Sequence, residues 1–364
     1  MLSERRISMF NSNKPDLKDL YHFFKVIQRY NAANITISES VPLFTEEVKK
    51  LSLKKIMESL MRDLRNGVAF PNALSKHPTF FPAFIIEMLR VGESSGQNAA
   101  ILDESVFFLE QEVDVKREIG SALWTPKAFL VLMFIAFLLG IFLVVPKLGE
   151  LLMDTHIELP LVTQVVIGIG NLAQSFWWLF ALLGTVLVFV YQYIKKEYPE
   201  QIDLFKLQIP FFKVITYNQI QYRFAKIFGL CIQAGIGTTR ALQYTAMAAD
   251  NIIVKNTLKK AATDIERSGI SLADAIKKAD VYNIINPGFY IMMRVGVSTS
   301  DIGNIMLKEA ENYRKDMLAA SKLIGDKVGL SVTIPGYIAL IILFASIEYP
   351  VMTMMQNLNS VGGV

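Results

Sequence analysis

The chain has 364 residues, of which 52% are hydrophobic and only 19% charged, where soluble domains carry roughly 25% charged residues; its mean hydropathy is +0.36. This composition argues against a soluble enzyme and against a disordered chain, and a single cysteine, Cys231, rules out a scaffold of intrachain disulfides. The net charge of +4 is too small to predict a nucleic-acid partner.

Taken in chain order, residues 1–18 read as an N-terminal tail. The stretch from Met1 to Tyr30 is charged throughout and contains no apolar core of the kind a cleaved signal peptide needs, so the first membrane helix is expected to act as its own insertion signal. Residues 19–123 read as a helical domain. The run Tyr21–Phe44 has apolar residues at helical spacing, Gly67 falls where one helix ends and the next begins, and Pro71, Pro78 and Pro82 punctuate the remainder. About six short helices with tight turns are expected, the last a long helix around Ile101–Trp124.

Charge placement then changes character. No formal charge occurs in the 19 residues from Ala128 to Pro146, the 36 from Leu159 to Ile194, or the 20 from Val328 to Ile347. At about 1.5 Å rise per residue, some 20 apolar residues cross a hydrocarbon core of about 30 Å. Transmembrane helices are therefore expected at 126–146, 174–194 and 328–348. The middle one starts near Phe176, with Trp177 and Trp178 at one interface and Tyr191 and Tyr193 at the other. Between them lie a loop at 147–173, a second helical domain at 195–327, and a tail at 349–364. Lys and Arg number 17 in residues 1–127, one in 146–175, 19 in 195–327 and none in 348–364. By the positive-inside rule, the N-terminus and the 195–327 domain are expected to be cytoplasmic, and the short loop and the C-terminal tail to lie outside.

The two inside segments repeat one another. Phe23, Lys25, Ala33 and Ile35 match Phe224, Lys226, Ala234 and Ile236 at an offset of 201. NGVAFPNALSK (66–76) matches SGISLADAIKK (268–278) at 202, and MLRVGESSG (88–96) matches MMRVGVSTS (292–300) at 204. Three blocks in one order with slowly drifting offsets indicate an internal duplication. The fold class expected is therefore all-α, an integral membrane protein with three transmembrane helices and two homologous cytoplasmic helical bundles.

This arrangement, with the block Gly67–Gly96 (a glycine turn, an amphipathic helix, a proline, an aromatic pair and a Gly-Glu-x-x-Gly turn), resembles the inner-membrane platform family of type IV pilus assembly and type II secretion systems, the GspF/PilC type. The resemblance covers about Asp19 to Val351, and the short N-terminal extension looks more like the pilus branch. It singles out Gly67, Pro82, Gly92, Glu93, Gly96, Gly235, Gly269 and Gly296 as motif turns with a structural or partner-contact role. The second copy departs from the pattern, with Val297 in place of Glu93 and Ser300 in place of Gly96. The resemblance implies a non-enzymatic platform in the bacterial inner membrane. Its implied partners are a cytoplasmic assembly ATPase and a retraction ATPase, pilin or pseudopilin subunits, inner-membrane alignment proteins, membrane lipid and further copies of itself, with no nucleic acid. A membrane-anchored signalling or scaffold protein with duplicated helical modules is the alternative.

Chemistry is sparse. Gly92-Glu93-Ser94-Ser95-Gly96 fits G-x-S-x-G, but that nucleophile elbow needs a preceding strand, whereas Ile85–Val91 reads as a helix. A helix–turn–helix junction is expected instead, with Gly92 and Gly96 easing the backbone and Glu93 or Ser94 capping the next helix. No phosphate-binding G-x-x-x-x-G-K-[ST] loop is present. His22, His77 and His156 are scattered, and one cysteine gives no zinc spacing. No catalytic, cofactor-binding or metal-binding residue is expected. Asp103/Glu104 and Glu110/Glu112/Asp114 read as a solvated helix face paired with Lys116 and Arg117. A divalent ion shared by Glu93 or Asp103 with a symmetry mate is the other reading. Apart from Lys127 and Glu348 at their ends, the spans hold no Asp, Glu, Lys or Arg, which argues against an ion-coupled transporter. Gly140, Gly168, Gly170 and Gly184 offer close packing against another subunit or a passing apolar helix, with glycines that simply face lipid as the other reading. Lys54, Lys55, Arg62 and Arg65, with Lys255, Lys259, Lys260, Lys277 and Lys278, offer basic faces that read either as plain solubilising surface or as contacts for the ATPase or anionic lipid.

Overall fold

A computed structural model describes residues 15–122, 124–140 and 161–361, and among these every regular element is a helix. In chain order they are α1 (Leu17–Ala32), α2 (Ile37–Glu47), α3 (Leu51–Arg65), α4 (Phe70–Ser75), α5 (Ala83–Ser95), α6 (Asn98–Ala122), α7 (Trp124–Leu139), α8 (Leu161–Glu197), α9 (Pro199–Gln208), α10 (Pro210–Gln233), α11 (Thr238–Ala248), α12 (Ile252–Ser268), α13 (Leu272–Ala279), α14 (Pro287–Ser298) and α15 (Ile302–Val361). The chain divides into two units, Met1–Glu118 with Asp203–Ala319, and Ile119–Ile202 with Ala320–Val364.

The first unit contains both copies of the repeat. α1 starts where Asp16 Oδ1 accepts from the backbone N–H groups of Lys18 (2.9 Å) and Asp19 (3.1 Å), while Asp19 Oδ2 accepts from the Asp16 N–H (2.7 Å). This reciprocal cap satisfies donors that a helix start leaves orphaned. α2 starts likewise at Thr36 and Glu39. α1 buries Leu20, Phe23, Phe24 and Ile27, the single stripe of an amphipathic helix. Phe23 packs against Phe44 at 5.3 Å and Phe81 at 5.4 Å between ring centroids. The equivalent place in the second copy holds Phe224, 4.9 Å from Phe289, which in turn lies 6.0 Å from Tyr313. Helix starts keep the register of the sequence repeat: Ile37 of α2 corresponds to Thr238 of α11, and Asn98 of α6 to Ile302 of α15.

In the second unit the end of α6 and α7 touch the C-terminal part of α15 through small residues. A Cβ on Gly325 would stand 2.5 Å from the Ala122 carbonyl oxygen, and one on Gly336 would collide with Met133 Sδ. Phe129 lies 6.0 Å from Tyr337. Gly168 and Gly184 meet no atom of their own chain within 4 Å, which leaves their faces open to another subunit, a passing helix or lipid. The 37-residue α8 breaks at Phe176, whose φ of −114° and ψ of 15° are not helical. Large apolar side chains, including Leu132, Phe134, Leu187, Phe189, Ile341 and Phe344, point outward, which a water-exposed surface rarely shows over such lengths.

Among the described residues two helical stretches are long and apolar enough to cross a membrane, Asn98–Ala136 and Ile302–Ile342, and Leu182–Ile194 is apolar but shorter. That measure gives two, not the three expected from charge spacing. Residues 141–146 of the first expected span, residues 1–14, most of the outside loop (147–160, with Lys147 and His156) and 362–364 lie outside the described residues.

Candidate functional site

Three left-handed turns occur at equivalent places in each copy, and they locate most of the expected motif glycines. Asn34 (φ +59°) matches Gly235 (φ +85°), Gly67 (φ +75°) matches Gly269 (φ +60°), and Gly96 (φ +71°) matches Ser300 (φ +54°). The same backbone bonds close the first and the third pair. The Ile35 and Ile236 N–H groups donate to the Tyr30 and Cys231 carbonyls, both at 2.9 Å, and those of Gln97 and Asp301 donate to Gly92 and Gly296 at 2.9 and 3.0 Å. Each bond satisfies a carbonyl that the helix end would otherwise orphan. Pro82 stands at the extended N-cap of α5 (φ −62°, ψ 136°), where a fixed φ and a missing N–H are harmless.

The turn expected at Gly92–Gly96 is narrower than predicted. α5 continues through Gly92, Glu93 and Ser94, and only Gly96 leaves the helix. Ser94 Oγ donates to the Val91 carbonyl (2.9 Å), so neither Glu93 nor Ser94 caps α6. With helix before and after it, the G-x-S-x-G match is no nucleophile elbow. Gly92 matters for space: a Cβ there would meet Ile101 Cγ1 at 3.1 Å, and one on Gly296 would meet Ile302 Cα at 2.7 Å. Glu93 is exposed and edges a cleft of about 20 Å³ with Asn31, Ile37 and Asn98. Asp103 Oδ1 accepts from Gln28 Nε2 (2.8 Å). Among the described residues no three metal-ligating side chains cluster.

The acidic face of α6 is another correction. Glu110 accepts from the Tyr21 hydroxyl (2.6 Å) and pairs with Lys25 Nζ (3.2 Å), which holds its carboxyl below the usual range. Asp114 pairs with Arg117. Glu112, however, is not solvated. Its side chain is 12% exposed and lies 3.6 Å from Arg223 Nε on α10. Arg223 also pairs with Asp250. Nearby, Lys226 Nζ lies 3.8 Å from Glu104 of α6 and 5.0 Å from the Phe107 ring centroid. Burial drives the Glu112 carboxyl upward against the pull of Arg223, drives the Tyr222 hydroxyl upward and drives the Lys226 ammonium downward despite Glu104. These charges join the two copies of the repeat. Reading along the chain misses them, because Glu112 stands among charged neighbours. Its spacing from Leu102, Ser105 and Leu109 (steps of 3, 4 and 3) puts it on the buried stripe of α6 and is the signal that could have found it.

Beside Arg223, a pocket of about 220 Å³ opens between α10, the end of α11 and the start of α12, with Asp203, Thr216, Gln219, Asp250 and Asn251 among its polar walls. Asp203 accepts from the Ile252 N–H (2.9 Å), and Asn251 Oδ1 accepts from Ile253 (2.9 Å) and Val254 (3.2 Å). The Asp203 and Asn251 acceptors are thus occupied at the start of α12, Asp250 pairs with Arg223, and the lining pairs no nucleophile with a base. The basic side chains fall on matching helices, with Lys54, Lys55, Arg62 and Arg65 exposed on α3 and Lys259 and Lys260 exposed on α12. Lys278 on α13 reaches back to Asp264 (3.3 Å).

Comparison with known proteins gives the same division. The family model for type II secretion system (T2SS), protein F, matches residues 23–146 and again 224–350. Type IV pilus assembly protein PilC of Thermus thermophilus is 27% identical over 310 residues, covering 83% of this chain and 74% of that protein. The PilC protein of Pseudomonas aeruginosa is 23% identical over 304 residues (82% and 80%), and type II secretion system protein F of the same organism is 25% identical over 332 residues (89% and 80%). Two family matches, in register with the duplicated turns, account for most of the sequence, and the chain belongs to the type II secretion system protein F family, pilus-assembly PilC proteins included.

Proposed function

We propose that this protein is a non-enzymatic platform in a bacterial inner membrane, coupling a cytoplasmic assembly ATPase to the insertion or extraction of pilin subunits. The observation that carries this reading is the tandem family match laid over two copies of one helical module joined through buried charges. A machine that transmits force between cytoplasm and membrane needs stiff modules and short connections, and α6 and α15 each lead out of a module as one long helix. Three spans are proposed, at 126–146, 174–194 and 328–348, with the domains at 19–123 and 195–327 inside. The break of α8 at Phe176 supports a second span that begins there, as do the outward Trp178 and Tyr193 near its two ends. The motif turns act as structural joints, and the basic faces of α3 and α12 as contacts for the ATPase or anionic lipid. Deleting the gene in its host tests the whole reading: pili or secreted protein disappear and return with the intact gene, and a deletion strain that keeps both overturns it.

A further inference from the structure

We propose that copies of this chain associate head to tail, the outer face of α14 in one copy seated on the α1–α2 face of the next, repeating between chains the contact by which α5 sits on α10 and α11 within one chain. α5 has two faces. Ile85 and Leu89 turn into their own repeat and are 0% and 4% exposed. Glu87 and Met88, 8% and 1% exposed, are covered by the second repeat. A Cβ on Gly235 would stand 3.9 Å from Val91 Cγ1, and Tyr244 of α11 is hydrogen-bonded to Glu87, with Arg90 and Arg240 close by.

α14 is the counterpart of α5 in the second copy. Phe289 and Met293, in place of Ile85 and Leu89, are likewise fully buried. Ile291, Met292 and Val295, in place of Glu87, Met88 and Val91, are 61%, 39% and 42% exposed. The face that is covered in the first repeat is open in the second, and the change from Glu87 to Ile291 makes it more apolar. A face selected for water would change the other way.

The α1–α2 face is complementary. α1 and α2 are the repeats of α10 and α11, so Asn34, Glu39 and Leu43 stand where Gly235, Arg240 and Tyr244 do. All three are exposed, Leu43 by 39%. The polar pair Glu87–Tyr244 of the internal contact becomes the apolar pair Ile291–Leu43. The two flanking arginines, Arg90 and Arg240, become Arg294 and Glu39, which are of opposite charge. Arg294 is held by Asp274 of its own repeat and Glu39 by Thr36, so both are oriented and still exposed. Such a contact uses different faces on its two sides, leaves one of each unused, and therefore propagates until it closes into a ring or continues as a filament. It stands whether or not the chain serves a pilus.

The test co-expresses two differently tagged full-length chains in membranes, one carrying Ile291→Cys and the other Leu43→Cys. Both sites are exposed, so the fold is untouched, and native Cys231 is silent because burial pushes its thiol up to about 12. On mild oxidation a disulfide dimer carrying both tags is expected, at least ten-fold above either variant expressed alone. Arg294→Glu in the first chain is expected to lower that yield several-fold, and Glu39→Arg in the second to restore it. Cross-linking of the Ile291→Cys chain to itself alone would show a two-fold symmetric contact and overturn the proposal. Absence of the mixed dimer, or a charge swap without restoration, would overturn it as well.

Discussion

Single positions in the two copies carry the same backbone demand with different residues. Gly96 and Ser300 both close an α5-type helix in the left-handed region, which disfavours a side chain by roughly 1–2 kcal/mol. Gly96→Ala, with no neighbour to clash, is therefore expected to lower stability by about 1 kcal/mol, and Ser300→Gly to raise it by a similar amount, read as opposite shifts of the thermal midpoint of the purified chain. The loss of glycine at 300 is visible from residue identities, whereas the persistence of the strained turn is not: it is held by the Asp301 N–H to Gly296 carbonyl bond. Glu112 makes the complementary case for a buried charge. Its carboxyl is raised chiefly by burial, so the folded chain favours the protonated form, and the stability this contributes is present at low pH and lost as pH rises through the raised value. Glu112→Gln is expected to remove that loss and to stabilise the chain near neutral pH by roughly 1 kcal/mol, with Arg223 still paired to Asp250. Unfolding curves of both forms, followed from mildly acidic to neutral pH, should converge at the acid end. A variant weaker than the parent at every pH would show that the Arg223 pair outweighs burial.

Among the elements, helix starts are legible wherever side chains cap them: Asp16, Asn251 and Ser271 accept from N–H groups of the first turn, the reason such residues mark helix beginnings. The end of α5 is less legible. Gly92 reads as a turn residue because glycine permits turns, but here it permits the close approach of Ile101. Glycines of the long helices differ in the same way, since Gly325 and Gly336 meet α6 and α7 while Gly168 and Gly184 meet nothing within their own chain. A glycine's use depends on what stands opposite, which no local pattern encodes. Gly336→Leu is expected to separate α7 from α15, a change of about 1–3 kcal/mol in packing. A cysteine pair placed at Phe129 and Tyr337, whose rings lie 6.0 Å apart, reports it with Met133 left in place: disulfide yield falls in the variant, and unchanged yield would show that α7 is held elsewhere.

For the molecule as a whole, the proposed topology is open to one measurement. Lys259→Cys, exposed on α12, is expected to resist a membrane-impermeant maleimide in intact cells and to react after lysis, whereas Met352→Cys in the tail reacts from the periplasmic side. The reverse result would invert the chain. That the protein is helical, duplicated and apolar over long uncharged stretches follows from its order of residues alone, because periodicity, block similarity and charge spacing are local or one-dimensional quantities. That the two copies dock on each other, that Lys226 is buried and Glu112 mostly covered between them, and that α5 is covered while its twin α14 is open do not follow from it. Burial depends on which surfaces meet between segments far apart along the chain, and that meeting is a property of the folded molecule.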